Sequence, residues 1–569
     1  MDPSENNQQE TPNENNSPTL PQNNVVEPSQ QSTLSDDGHT TTNSPKPTIQ
    51  TGPKKSKNWL LIIILLMAVI AGLVLAYLYL VKNKTTTSNV NKPSLIKKDI
   101  PLLTYGLNST VDLTPTWPVD PPSSNDDLFV TNQMFEGLVK FQGQTKVVPS
   151  LAISWSNPNN TTWDFIIRHN VKFHSGRTLT AEDVKSSLDY ITAHQTDQDN
   201  GTLLNVATNI SSIKVKNPYE VEITTSQPNA VLLPQLTQLF IYDSKSTLGD
   251  PNGGTGPYIV KPGFKSNNTN FKIVAFKGYW GGHVYTKEVN FFGYATNDEM
   301  ISDVTNGKLD IAGNFLNTEI AKIETKKKIS EIKYPILGVH YLLLNTLNLK
   351  SPLSNINARK SLQSGLNLQQ LIKATGVDGI PASQMIPKEL SGYDPSIKVV
   401  PNDSQKAEQL LSTVPNKSAQ INLQFPSGDD AQANEIAKEL NAVGFNIKPM
   451  EVSDFNTFVN NIYAGQGDMF FLAYTTATAD GFDIIQNGIA SNKLYSNDQL
   501  SSLVNQGNST FNSSDRIKKL QQMEQIVAKD IPAVPLYQDN NTFSLSKPYH
   551  YSIDMSALDA SIYFWQVYQ

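Results

Sequence analysis

The chain has 569 residues, 45 Lys and Arg against 52 Asp and Glu for a formal charge of −7, and no cysteine. Without cysteine there is no disulfide, zinc thiolate, thiol nucleophile or acylated cysteine anchor, and mild acidity without a basic, aromatic-interleaved stripe excludes the usual nucleic-acid footprint. Roughly 470 residues of globular composition follow the first hundred, too many for one core, so two or more lobes are expected.

Residues 1–57 are rich in Asn, Gln, Pro, Ser and Thr. They lack the apolar surface that offsets ordering entropy, so a disordered tail is expected. Next comes Trp59–Val81, WLLIIILLMAVIAGLVLAYLYLV, without charge or proline. At about 1.5 Å per residue it spans roughly 35 Å, enough for a hydrocarbon core of about 30 Å. Trp59, Tyr77 and Tyr79 stand where aromatic rings favour the interface. The h-region of a cleaved signal is shorter and nearer the N-terminus, so a retained anchor over 58–81 is expected. Lys46, Lys54, Lys55 and Lys57 precede it and Lys82, Lys84 and Lys92 follow. That slight bias places the tail in the cytoplasm and the large domain outside. Residues 82–99 read as a tether.

Pro101–Leu107 is an apolar run suited to a buried strand, and Phe129–Leu138 has helical character ending near Gly137. Trp163, Phe165 and Ile167 alternate with polar neighbours as a half-buried strand. Thr180 N-caps a helix with Glu182 and Asp183 in its first turn and Val184, Leu188 and Ile191 on one face. Further on, Ile421, Leu423 and Phe425 alternate as a strand. Ala433, Ile436, Ala437, Leu440 and Val443 form a helical face closed by Gly444, and Phe445–Met450 returns as a strand. Residues 419–450 are therefore a β–α–β unit, which implies a parallel sheet.

Phe135-Glu-Gly-Leu138, Val148-Pro-Ser-Leu-Ala152 with Trp155, and Arg168-His-Asn-Val-Lys-Phe-His-Ser-Gly176 with Leu179-Thr-Ala-Glu-Asp-Val184 recur in the order and spacing of a known family. Gly254-Thr-Gly-Pro-Tyr258, Tyr279-Trp-Gly-Gly282, Asn306-Gly-Lys-Leu-Asp-Ile-Ala312, Leu344-Asn-Thr346, Asn357-Ala-Arg359 and Ile531-Pro-Ala-Val-Pro-Leu-Tyr537 continue the series. Over residues 100–569 the chain resembles the bacterial extracellular solute-binding proteins of family 5, the peptide and nickel binders of ABC importers. The resemblance implies an α/β, two-lobed periplasmic-binding-protein-like fold of class II type with an extra small subdomain, here preceded by one transmembrane helix. Lobe I would comprise about 100–145, 231–335 and 526–569, the insert 146–230, and lobe II 336–525. Leu337–Thr346 and Ile531–Tyr537 would be hinge strands. Function would be capture of an oligopeptide or peptide-like solute by a monomer that presents it to an ABC permease. A membrane-anchored sensor on the same scaffold, or a surface peptidase, are the alternatives.

No HExxH, G-x-S-x-G, Walker A or complete GxGxxG occurs, so no enzyme, cofactor or metal is expected. His169 and His174 are close in sequence but read as structural, as does the turn Gly253–Gly256. Family peptide binders carry Gly-Trp before an aspartate that pairs with the ligand's amine. Here Tyr474 stands for the Trp and Ala477 for the aspartate. The resemblance therefore implies a ligand-binding set of Tyr105, Asn345, Tyr474, Thr475, Thr476 and Asp480, with Asp480 supplying the charge if the loop is rearranged. Arg359 reads as a structural ion-pair residue and Asn367 as a helix cap.

Overall fold

A computed structural model describes residues 97–107, 129–143, 145–193, 209–261, 263, 269–313, 329–476, 478–550 and 562–569. They belong to one compact unit, Leu95–Gln569. The expected tail, the Trp59–Val81 anchor and the tether up to residue 96 lie outside the described residues. Among the described residues, no helix is long and apolar enough to cross a membrane.

β1 (Leu103–Leu107) buries Leu103, Tyr105 and Leu107. The chain then enters an insert. β2 (Glu136–Gly137) leads to a hairpin of β3 (Val139–Gln142) and β4 (Lys146–Pro149). A four-stranded sheet follows, made of β5 (Ala152–Asn159), β6 (Thr162–Ile167), β7 (Ile210–Asn217) and β8 (Glu220–Thr225) in the order β5-β6-β8-β7. β6 buries Trp163, Phe165 and Ile167, as its alternation requires. α1 (Ala181–Ala193) turns Val184, Leu188 and Ile191 into the same core. At its start the Asp183 carboxylate accepts the Thr180 N–H at 2.9 Å, an acidic form of the capping box.

The stretch Phe129–Leu138 departs from the helical expectation. After a turn in which Gln133 N–H donates to Val130 C=O, Glu136 and Gly137 pair with β9 (Phe240–Ile241). Tertiary contact decides this: a Cβ on Gly137 would lie 2.9 Å from Leu236 O, so the helical turn that leads into β9 approaches as closely as only glycine allows.

Lobe I is completed by β10 (Tyr258–Val260), β11 (Asn270–Ala275), β12 (Glu288–Gly293), α2 (Asn297–Thr305), β13 (Ile311–Gly313) and β14 (Ser330–Pro335). β1 runs parallel to β12 and β13 at its centre. Lobe II contains β15 (Gly338–Leu344), α3 (Ile356–Gly365), β16 (Gly379–Pro381), β17 (Gln420–Pro426), α4 (Asp430–Val443), β18 (Asn446–Val452), β19 (Met469–Thr475), α5 (Gly481–Ile485), α6 (Ser513–Asp530) and the start of β20 (Ala533–Leu545). The β17–α4–β18 unit is parallel, with Ile421 opposite Ile447, and Gly444 ends its helix at φ 109°.

One sheet path runs β10-β11-β12-β1-β13-β20-β15-β19-β17-β18, with β14 and β16 also on β20. β20 is 13 residues long and serves both lobes. Its first residues pair with β15 beside the lobe II core, and its last ones with β13 and β14 beside the lobe I core. The lobes thus exchange chain at Ile336–Leu337 and at Gln538–Asn540, where Ile336 N–H donates to Asp539 C=O at 2.8 Å. The expected hinge segments Leu337–Thr346 and Ile531–Tyr537 lie mostly inside lobe II instead. So do Ile526 and Val527, packed in a lobe II core.

Candidate ligand site at the interlobe edge

The edge of the lobe II sheet that looks toward lobe I is the one where the chain crosses. There Gly338 pairs with Thr475, β17 ends at Pro426, and α4 begins at Asp430. The carboxyl ends of parallel strands, beside a helix start, are where α/β sheets receive ligands. Along β15 every residue is buried except His340. Strands covered on both faces read as apolar runs, so the exception marks where the cover stops.

His340 Nε2 meets Asp539 Oδ2 at 2.7 Å, joining the two strands at the crossing. The imidazole stacks on Tyr537 with centroids 4.5 Å apart and lies 5.7 Å from Phe471. Its cross-strand partner is Ala473, whose methyl is exposed. Asp429, next to α4, is largely desolvated, which raises its pKa; His340 opposes that rise, while Asp539 and Asp430 add to it. Beside the edge, Lys333 pairs with Asp378 at 3.2 Å and Gln538 Nε2 donates to Glu389 at 2.9 Å.

The expected site residues do not assemble into one cluster. Tyr474 and Thr475 reach the edge at the end of β19. Tyr474 is half-buried; burial lifts its phenol well above the ordinary value, and its hydroxyl accepts from Asn487 Nδ2 at 2.8 Å. Thr476 is fully buried and shapes the next turn, its Oγ1 accepting the Thr478 N–H at 3.1 Å. Asp480 caps α5 through the Phe482 N–H at 2.8 Å and is held by Arg516 through two contacts of 3.0 Å. Its charge is thereby spent on lobe II itself. Ala477 lies outside the described residues.

Tyr105 sits mid-strand in the lobe I core, 5% exposed, stacked on Phe129 at 4.7 Å with Phe564 edge-on at 5.4 Å. Asn345 lies at the other end of β15, about 23 Å of strand from Gly338. Its Nδ2 donates to Gly467 C=O at 2.8 Å and its Oδ1 accepts from Leu347 and Asn348. Both are fixed by their lobe's packing. Arg359 differs from its ion-pair reading too, since it donates to the carbonyls of Leu353, Ser354 and Asp530. Sequence reasoning missed His340, Asp539 and Asp429. The signal was present: a lone histidine in GVHYLLL and an Asp-Asn-Asn break in the last long strand.

His169 and His174 do not converge on a metal. His169 stacks on Tyr219, whereas half-buried His174 contacts Gly256 C=O through Nε2 at 3.0 Å. Among the described residues no group of His, Asp and Glu could hold a metal ion.

Two α/β lobes that share one strand, with a polar edge where the chain crosses between them, define the solute-binding class. The family description "Bacterial extracellular solute-binding proteins, family 5 Middle" matches residues 146–494, and the chain belongs to that family. The probable D,D-dipeptide-binding periplasmic protein DdpA of Escherichia coli K12 is 24% identical over 476 residues, covering 74% of this chain and 86% of its own. The glutathione-binding protein GsiB of Salmonella paratyphi A is 24% identical over 497 residues, covering 80% and 92%. The structure of NikA from Brucella suis in complex with Fe(III)-EDTA superposes with a TM-score of 0.72 at 18% identity, over 82% of this chain and 99% of that one. The first two of these relatives are named as binding proteins.

Proposed function

We propose that this chain is the membrane-anchored, extracytoplasmic substrate-binding component of an ABC importer and captures oligopeptides or peptide-like solutes. The observation that carries the reading is the double crossing at Ile336–Leu337 and Gln538–Asn540, which leaves a polar edge of lobe II facing lobe I. Closure about such a hinge is a population shift, in which solute binds the closed state better than the open one. Contacts away from the hinge are in place to hold a closed state: Ala230 N–H donates to Asn508 C=O at 2.9 Å, and Trp163 lies 6.2 Å from Phe511. Tyr474 and Thr475 line the edge in this reading, and the permease receives the closed form. Trp59–Val81 keeps the binding unit near that permease by raising its effective concentration, with residues 1–57 in the cytoplasm and 82–99 as the tether. The names of the dipeptide- and glutathione-binding relatives support a peptide-like cargo.

Mass spectrometry of solute released from the purified full-length chain tests the reading, with thermal shift as confirmation. Solute at 100 times its dissociation constant adds about 2.7 kcal/mol of stability. A chain that releases no solute, and is shifted by no di- or tripeptide, would not be a peptide-capturing protein.

A further inference from the structure

Two phenylalanines pack into a core on the far side of the lobe boundary. The insert is bonded to lobe I: His174 N–H donates to Gly254 C=O at 2.9 Å, and Arg177 Nε donates to Asp243 Oδ1 at 2.8 Å. Its β3–β4 hairpin stays on that side through Lys140, whose ammonium lies 5.9 Å from the Trp565 ring centroid. The next residue, Phe141, is 3% exposed and belongs to the lobe II core that holds Leu337, Tyr341 and Met385. Val147, its cross-strand partner, packs against both that core and the core of the insert.

Phe511 crosses in the other direction. It follows the helix Asp498–Gly507 and precedes α6, both in lobe II, yet it packs against the insert core and lies 6.2 Å from Trp163. Beside it Ala230 N–H donates to Asn508 C=O at 2.9 Å. The turn that carries Phe511 is braced from behind. Thr510 Oγ1 donates to Gln506 C=O at 2.7 Å, and Asn512 caps α6 by accepting the Asp515 N–H at 3.1 Å. Arg516, one of the chain's four arginines, donates to Gly507 C=O while paired with Asp480. The seat is fixed as well, since Asn229 Oδ1 accepts the Val231 N–H at 3.1 Å and its Nδ2 donates to Gln235 at 2.7 Å. A knob and seat that are already ordered lose little freedom when they meet. Apolar burial is non-directional and needs nothing from the solute. Rings covered only while the lobes are together favour the closed form with or without cargo.

We propose that Phe141 and Phe511 are a reciprocal latch: they hold the lobes closed before solute arrives, and their release sets how fast solute enters and leaves. This rests on the solute-capture reading above and adds its regulation, while the latch itself is measured without solute.

Because the chain has no cysteine, Ser212→Cys in the insert and Lys518→Cys in lobe II, both exposed, give the full-length chain two defined spin-label sites. Pulsed electron resonance, on protein that mass spectrometry shows to be free of solute, should find one narrow distance in this parent chain. Phe511→Ala and Phe141→Ala should each add a longer distance, and hydrogen exchange of the Ala230 amide should quicken about tenfold. Phe511→Leu, which keeps an apolar contact, should restore most of the protection, and Ile517→Ala on exposed α6 surface should change nothing. Dissociation of the protein's own released solute, added back, should be about tenfold faster from Phe511→Ala. A solute-free parent chain in which the longer distance already dominates would overturn the inference, as would distances unchanged in both alanine variants. Faster exchange at Ala230 without any change in distance reports a frayed turn and overturns it too. Should the chain release no solute, the capture reading falls while the distances still decide the latch.

Discussion

The lobe I core around Tyr105 and the lobe II edge around His340 both stack aromatic rings on strands, yet they solve opposite problems. Around Tyr105, Phe129, Phe291 and Phe564 close every direction, with centroids 4.7 to 5.9 Å away. Around His340, Tyr537 and Phe471 close the ring faces, and Nδ1 on its edge is buried without a hydrogen-bond partner. A strand-borne aromatic cluster is therefore no guide to a binding site by itself. What separates the two places is exposure: Tyr105 is 5% exposed, whereas His340 is the one residue of its strand that is not buried.

Substitutions at the two places should split cleanly. Tyr105→Ala is expected to cost about 3–5 kcal/mol of stability, in the range of large core truncations, without changing solute affinity per folded molecule. Denaturant melts alongside titration check this, and a change in affinity at unchanged stability would place Tyr105 in the site after all. Arg516→Ala should cost a similar 3–5 kcal/mol, because it strands the Asp480 carboxylate in a partner-poor setting where both groups are at most 14% exposed. If Asp480→Asn instead abolished binding of amine-bearing solutes while Tm held, its charge would belong to the ligand.

A pH series sharpens the contrast, since the two halves respond in opposite directions. In lobe II, burial lifts the Glu524 carboxyl to about 7; it accepts the Ile386 N–H on the loop running back to β16. Folded Glu524 holds its proton more tightly than the unfolded chain, whose value is about 4.3, so its contribution is full below that pH and lost as pH rises through 7. The difference amounts to about 3 kcal/mol. On the lobe I side, desolvation lowers His174 to about 4. Its contribution is full above the unfolded value of about 6.5 and lost as pH falls through 4, again by about 3 kcal/mol. Global melts will show these partly cancelling. Hydrogen exchange should resolve them as faster opening near Ile386 at pH 8 and near Gly256 at pH 4, with Glu524→Gln flattening only the first.

The smallest effects concern single hydrogen bonds. Tyr474→Phe removes the bond from Asn487 and should cost about 1 kcal/mol. Asn367→Ala removes the cap on the Gln370 N–H and should cost about the same. If Tyr474→Phe also lowers solute affinity, the phenol touches cargo; if it does not, Tyr474 serves the edge as packing alone.

Much of the architecture was legible in the sequence because it depends on local periodicity. The alternation of Trp163, Phe165 and Ile167, the capped helix from Thr180 and the β–α–β unit closed by Gly444 are all found where their patterns place them. Asn367 is a cap, as read. The site was far less legible. Asp480 was readable as a loop charge, but its partner Arg516 is 36 residues away on another helix. Asn345 and Thr475 sit at opposite ends of paired strands, which follows from an antiparallel register that no motif prints. The strand at Glu136–Gly137 was hidden because its partner lies about a hundred residues downstream.

By itself, the sequence determined the family, the alternation of strands and helices in each lobe, and the chemistry that four arginines and no cysteine leave open. Only the tertiary structure decided where the lobes exchange chain, which charges cancel each other inside the fold, and which polar atoms are left without a partner beside His340. The reason is physical. Periodicity is set by neighbours within a few positions, whereas the state of a buried polar group is set by whatever the folded chain brings within about 3 Å of it.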